Sequence, residues 1–225
     1  MTAFKTAAAV LPRLSAKITK LRAAKSGMAA VEFAMVLPIM VTMYLGCCEV
    51  SLGFSASKKV DAVARALSDL TSQASTAIPQ ATTGTTTGMN DIIAAASGVM
   101  QPFDGSTTRL TITSFIMPTP SPANGPVVAY TDWSYVRSGV AVPCGVQTSM
   151  VPAGFLAAGR SVIRADVAYT YYPLLSGPFR TIGTGSTTSI NLTSSIWMQP
   201  RILPRVQLAS GVAGTCVYSP AKTFP

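Results

Sequence analysis

A run of 21 residues, MAAVEFAMVLPIMVTMYLGCC (28–48), contains one charged side chain, Glu32, and constrains the fold more than any other part of the chain. At about 1.5 Å of rise per helical residue it reaches roughly 31 Å, enough to cross a bilayer core of about 30 Å. The 225 residues leave room for one domain beside this anchor, or two small ones. The chain as a whole is apolar and sparsely charged (48% hydrophobic, 11% charged, mean hydropathy +0.40), which suits attachment to a membrane. A cleavable secretory signal is a different object, with an apolar core of about 7 to 15 residues ending in a small-x-small site. The run is not succeeded by an A-x-A site. The Gly46-Cys47 pair matches part of a lipoprotein signal, but Tyr44 stands where that signal has a leucine-like residue.

The net charge of +9 is concentrated in a tail. Lys5, Arg13, Lys17, Lys20, Arg22 and Lys25 precede Gly27 with no acid among them, so the first 27 residues hold +6 and the remaining 198 hold +3. The basic residues are not interleaved with aromatics and an apolar run comes directly after them, so the tail fits the positive-inside rule better than nucleic-acid binding. No nucleic acid is expected as a partner. The amino terminus is placed in the cytoplasm, and the chain beyond the span is extracytoplasmic.

Beyond the span, Val60, Val63, Leu67 and Leu70 recur at steps of three and four, with Lys58, Lys59, Asp61, Arg65 and Asp69 on other faces. One helix is therefore predicted over about 29–71, with a bend at Pro38 or loosening at Gly46 and Gly53. Its outer apolar stripe requires a partner, which a globular domain supplies. A Thr/Gly stretch breaks the helix, a short helix over 89–100 comes next with Asn90 or Asp91 as its cap, and strand signals then dominate at 108–117, 127–136, 160–175 and 193–202. The loops SPANGP and GTGSTTS leave room for a turn or a short edge strand. The class is α+β, a long amino-terminal helix followed by an extracytoplasmic antiparallel sheet domain. The boundaries read as a basic leader (1–27), the membrane helix and its amphipathic continuation (28–75), a linker (76–88) and the α+β domain (89–225).

Chemistry-bearing patterns are few. The chain has no histidine, which removes the commonest general base and metal ligand, and no C-x-x-C pair for zinc. Ser55-Ala-Ser-Lys58 matches the acyl-transfer signature S-x-x-K, but no K-T-G partner accompanies it. The GTGSTT stretch at Gly183 lacks the third glycine and lysine of a phosphate loop and reads as a turn. An enzyme, a metal, a cofactor and a small-molecule substrate are not expected. Of four cysteines, Cys47 and Cys48 are helix neighbours about 100° apart and do not readily pair. Cys144 and Cys216 form a candidate disulfide if the outer domain is in an oxidising compartment, two unpaired buried thiols being the other reading.

Glu32 remains. A carboxylate in a bilayer costs at least about 2.5 kcal/mol and is a functional candidate by default, unless it reaches the headgroup layer. A basic tail, Gly27, a glutamate five residues later and then an apolar helix resemble the class III signal of type IV prepilins. More narrowly, 27–50 resembles the amino-terminal segment of TadE-like proteins, the pseudopilins or minor pilins of tight-adherence (Flp) pilus systems. Ala30, Val31, Glu32, Phe33, Ala34, Leu37 and Pro38 carry that likeness, with Gly46 and Glu49 at its exit.

The resemblance implies a cut by a prepilin peptidase between Gly27 and Met28, making Met28 the new amino terminus. It assigns Glu32 and Phe33 to recognition, and Glu32 to neutralising the Met28 ammonium of a neighbouring subunit. The implied partners are the inner membrane, the prepilin peptidase, other pilin and pseudopilin subunits and the assembly machinery. Major Flp pilins are much shorter and commonly carry Glu-Tyr where this chain has Glu32-Phe33, so a minor or assembly subunit is implied. An uncleaved, membrane-anchored adhesin or scaffold has the same topology.

Overall fold

The computed structural model describes residues 27–84, 86–119, 125–173, 189–214 and 216. The chain divides into two compact units, Met1–Val50 and Ser51–Pro225. Helix α1 (Met28–Ser72) is unbroken over 45 residues and passes through Pro38, Gly46 and Gly53. Pro38 has no N–H to donate, so the Ala34 carbonyl loses its helical partner. One turn further, Thr42 Oγ1 donates to the carbonyls of Pro38 and Ile39 at 3.0 and 2.9 Å.

In the second unit α1 buries Ala56, Val60, Val63, Ala64, Leu67, Ser68, Thr71 and Ser72, one face at steps of three and four. The expected stripe is corrected at its end, because Leu70 is 37% exposed and Thr71 takes the inward position. The Thr71 hydroxyl tolerates burial by donating to the Leu67 carbonyl at 2.7 Å. Helix α2 (Met89–Gly98) adds Met89, Ile92, Ile93 and Ala96 to the same core. Its N-cap is Gly88, not Asn90 or Asp91. Those side chains are used elsewhere: Asp91 Oδ2 accepts from Thr82, and Asn90 Oδ1 accepts from the Tyr135 hydroxyl at 3.0 Å.

The sheet holds β1 (Arg109–Met117), β2 (Tyr130–Val136), β3 (Gly145–Val146), β4 (Arg160–Tyr171) and β5 (Ile190–Met198) in the order β3-β2-β1-β4-β5. Every pairing is antiparallel. The long amino-terminal helix followed by this sheet is the α+β arrangement read from the sequence. β4 stops at Tyr171, two residues before Pro173, which has no N–H for the ladder; the expected end at 174–175 lies outside the described residues. The two-residue edge strand β3 lies at Gly145–Val146, outside the two loops where a short strand was allowed for. The stretches 121–124 and 183–188, where a hidden turn or strand was allowed for, lie outside the described residues.

Alternation along the strands gives the sheet two buried faces. Leu110, Ile112, Trp133, Ile163, Ala165 and Val167 join the helices in the larger core. Phe115, Met117 and Val162 point the other way and pack with Ala129 and Val151 in a smaller one. There Trp197 lies 5.5 Å from Phe115 and 6.2 Å from Phe155, centroid to centroid. Burying a side chain such as Leu67 stabilises by about 1.5–3 kcal/mol.

The stretch 76–88 is fastened to the strip at 207–209 through Ile78. Ile78 is buried, its N–H donates to the Gln207 carbonyl and its carbonyl accepts from Ala209, both at 2.9 Å. Gly214 and Cys216 are fastened in the same manner: the Gly214 carbonyl accepts from Ser134 N–H at 2.9 Å and Cys216 N–H donates to the Asp132 carbonyl at 3.0 Å. Gly214 has φ +96°, and a Cβ there would stand 2.1 Å from the Ser134 oxygen, so only glycine fits. Cys216 is bonded to Cys144, with Cα atoms 5.6 Å apart, 72 residues away in sequence. The bond joins the entry of β3 to the strip lying along β2.

Candidate functional site

The first unit is defined by what it leaves uncovered. No described side chain from Gly27 to Val50 is buried. Met28 (68%), Val31 (62%), Phe33 (61%), Met35 (71%) and Met43 (68%) are all widely exposed. They lie around the whole helix rather than on one stripe, so a single packed face could not satisfy them. Residues 28–48 are long and apolar enough to cross a membrane, within a helix of peak mean hydropathy 1.9.

Glu32 is the one charge in that span. It stands four residues after Met28, one helical turn along and on the same side of α1. The first turn itself holds no acidic residue, so the positive end of the helix dipole has no carboxylate closer in sequence than Glu32. Gly27 immediately precedes α1, and a Cβ built there meets nothing within 4 Å. Gly27, Met28, Glu32 and Phe33 are therefore brought together on one exposed helical end. Cys47 and Cys48 are exposed free thiols at the other end of the span.

The remaining candidates have structural surroundings. Ser55 is exposed on α1, and the Lys58 amine lies over the Phe54 ring, 5.1 Å from its centroid. A surface cavity of about 310 Å³, lined by residues including Leu70, Gln73, Thr76, Ile78, Thr87 and Ile92, has no ionisable side chain in its wall. Among the described residues no three His, Cys, Asp or Glu side chains gather as a metal site would require.

Two perturbed groups belong to the domain. Hydrogen bonding from the Ser106 side chain, then from its backbone N–H, holds the Asp104 carboxyl below its ordinary range. Burial, and next the Asp104 charge, push the Tyr169 hydroxyl up. Asp104 is the N-cap of the short 3₁₀ turn Gly105–Thr107 and accepts Ser106 N–H at 2.9 Å, a capping role.

These features define a protein with one apolar amino-terminal helix fit to span a bilayer and an α+β sheet domain carried on the same helix. Residues 27–68 match the family model described as TadE-like protein, in agreement with the likeness read over 27–50. The matched segment begins at Gly27, contains the uncovered span, and ends inside the buried stripe at Ser68. No curated protein and no solved structure matches the chain.

Sequence reasoning missed Ala64, Ser68, Thr71 and Ser72 in that stripe. Their spacing from Val60, Val63 and Leu67 is the readable signal, once small and hydroxyl side chains are counted as able to face a core.

Proposed function

We propose that the protein is a pseudopilin or minor pilin of a tight-adherence pilus, inserted in the bacterial inner membrane with its basic leader (1–27) in the cytoplasm. A prepilin peptidase cuts after Gly27, the span stays in the membrane, and the domain over 89–225 is extracytoplasmic or displayed on the pilus, where it serves assembly and surface adhesion. The observation that carries this reading is the TadE-like match beginning at Gly27, on a stretch of helix over 28–48 whose apolar side chains are not buried among the described residues. Glu32 with Phe33 is the recognition determinant.

Neutralisation gives Glu32 its second role. Cleavage would create an ammonium on Met28 at the positive end of α1, an unfavourable place for a cation. When helices pack, Glu32 of one subunit and Met28 of the next cancel two charges that lipid solvates poorly. The cytoplasmic leader and the apolar helix supply the rest by topology, with other pilin and pseudopilin subunits as neighbours.

The experiment is a pair of variants, Gly27→Ala and Glu32→Ala, expressed in cells that make the pilus. Both are expected to block processing or incorporation into the filament while the Cys144–Cys216 bond still forms. Normal pili and normal incorporation for both would exclude the pilin role and leave an uncleaved anchored adhesin or scaffold.

A further inference from the structure

A Cβ added to Gly53 would stand 3.7 Å from Tyr171 Cε1. This approach marks one end of the sheet domain, where the last residue of β4 meets α1. The outward side chains around it are apolar. Leu52 is 42% exposed, Phe54 64%, Tyr172 63% and Ile190 47%, and Ile190 is the register partner of Tyr171. Among the described residues, three stretches of chain thus bring large, exposed apolar side chains to one end of the domain. A domain turned wholly to water rarely keeps such a patch, which marks an interaction surface.

The chemistry of the patch identifies the partner. Phe54 lies six residues beyond Cys48, or about 9 Å of helix, just past a headgroup layer of about 5–7 Å, and helical side chains lean back toward the amino terminus, which brings its ring to that layer. The Tyr172 ring offers an apolar body with a polar tip, as side chains at membrane–water boundaries do. Lys58 lies against Phe54, Lys59 is next in sequence, and no acidic residue occurs between 50 and 60. Lysine stems run along apolar surface while the ammonium reaches anionic headgroups.

We propose that this end of the domain, centred on Phe54, Tyr172 and Ile190 with Lys58 and Lys59, is a docking surface for the headgroup layer of an anionic bilayer. The proposal rests on the reading of 28–48 as a membrane anchor. The collar adds a second, shallow membrane contact to the one made by 28–48.

The test uses the full chain in vesicles of phosphatidylcholine and phosphatidylglycerol, with the lipids brominated either near the glycerol or deep in the acyl chain. Three exposed positions each receive a tryptophan, and the emission of the unsubstituted chain, from Trp133 and Trp197, is subtracted. Ile39→Trp reports the anchor and Tyr172→Trp the collar. Ile202→Trp is the distant control, beside the far end of α1 where Arg201 N–H donates to Ser72 at 3.0 Å.

Loss of Tyr172→Trp emission to shallow bromines, with a blue shift and an unaffected control, is the expected result. That loss should shrink in Lys58→Glu. An anchor quenched by deep bromines beside an unquenched collar overturns the docking surface alone, and a blue-shifted but unquenched collar replaces lipid with another copy of the chain. Absence of quenching at Ile39→Trp as well would overturn the anchor reading itself.

Discussion

Arg205 Nε donates to Asp132 Oδ2 at 2.7 Å across 73 residues of chain, and the same guanidinium reaches the second carboxylate oxygen. The pair depends on a bulge. Ser114 is the partner of Trp133 and Phe115 of Thr131, so Asp132 is an extra residue with no counterpart in β1. Such a residue leaves the ladder's alternation and its side chain is re-aimed. Asp132 is 2% exposed, whereas the Arg205 side chain is 24% exposed. Beside this pair, the Trp133 indole donates to the Val206 carbonyl at 2.8 Å, so side chains of β2 hold Arg205 and Val206 while its backbone holds Gly214 and Cys216.

That asymmetry of burial yields a prediction. Arg205→Ala strands a buried carboxylate and should cost about 3–5 kcal/mol. Asp132→Asn leaves a guanidinium that reaches water and should cost clearly less. Denaturant unfolding of the full chain in detergent, followed by near-ultraviolet circular dichroism, measures both, and equal small losses would contradict the account.

Leu67 and Leu70 separate the packed face of α1 from its open one. Leu67→Ala removes a side chain with 0% exposure and should destabilise by about 2–5 kcal/mol. Leu70→Ala should stay within about 0.5 kcal/mol, as a surface change does. The same unfolding assay distinguishes them, and a larger loss at Leu70 would restore the stripe expected from the sequence.

The disulfide predicts a labelling pattern. Alkylation of the unfolded, unreduced protein should modify Cys47 and Cys48 only, with Cys144 and Cys216 reacting after reduction. Cys144→Ser should cost about 2–5 kcal/mol, as loss of a native disulfide typically does. Four reactive thiols in the unfolded, unreduced protein would contradict the bond.

Tyr169 and Asp104 give a pH dependence. The folded state holds the Tyr169 proton more tightly than the unfolded chain. Its contribution is fully present below the unfolded pKa of about 10 and is lost as pH rises through the higher folded value. The Asp104 contribution runs the other way: present above about 3.9, it is lost as pH falls through the lower folded value. Asp104→Asn should lower the Tyr169 midpoint in an ultraviolet titration, though not to the ordinary value, because burial is the larger cause. An unchanged midpoint would remove the electrostatic link.

Much of this architecture is legible in the sequence because local rules and tertiary packing agree. The apolar run and the steps at Val60, Val63 and Leu67 place α1 within a residue or so at each end. Segments rich in β-branched and aromatic residues locate four of the strands. The failures share a cause, namely partners distant in sequence. β3 is two residues long and exists because Tyr130 and Thr131 pair with Val146 and Gly145, which no alternation could signal. The start of β5 at Ile190 comes after a Ser/Thr/Gly-rich stretch and is set by pairing with Tyr171.

The Asp132 bulge and its Arg205 partner leave no local trace either, and the collar at Tyr172 emerges only when β4 is brought to Gly53. The proposed processing and recognition residues rest on sequence alone. Gly27, Met28, Glu32 and Phe33 lie within seven consecutive positions, and their pattern is one of sequence and topology.

The most direct test of the pseudopilin reading is the intact mass and amino-terminal sequence of the protein from native membranes, with and without the prepilin peptidase. A chain beginning at Met28 when the peptidase is present, and at Met1 when it is absent, is the predicted result. A chain beginning at Met1 in both would contradict it, leaving a fixed membrane scaffold in which Glu32 has some other task.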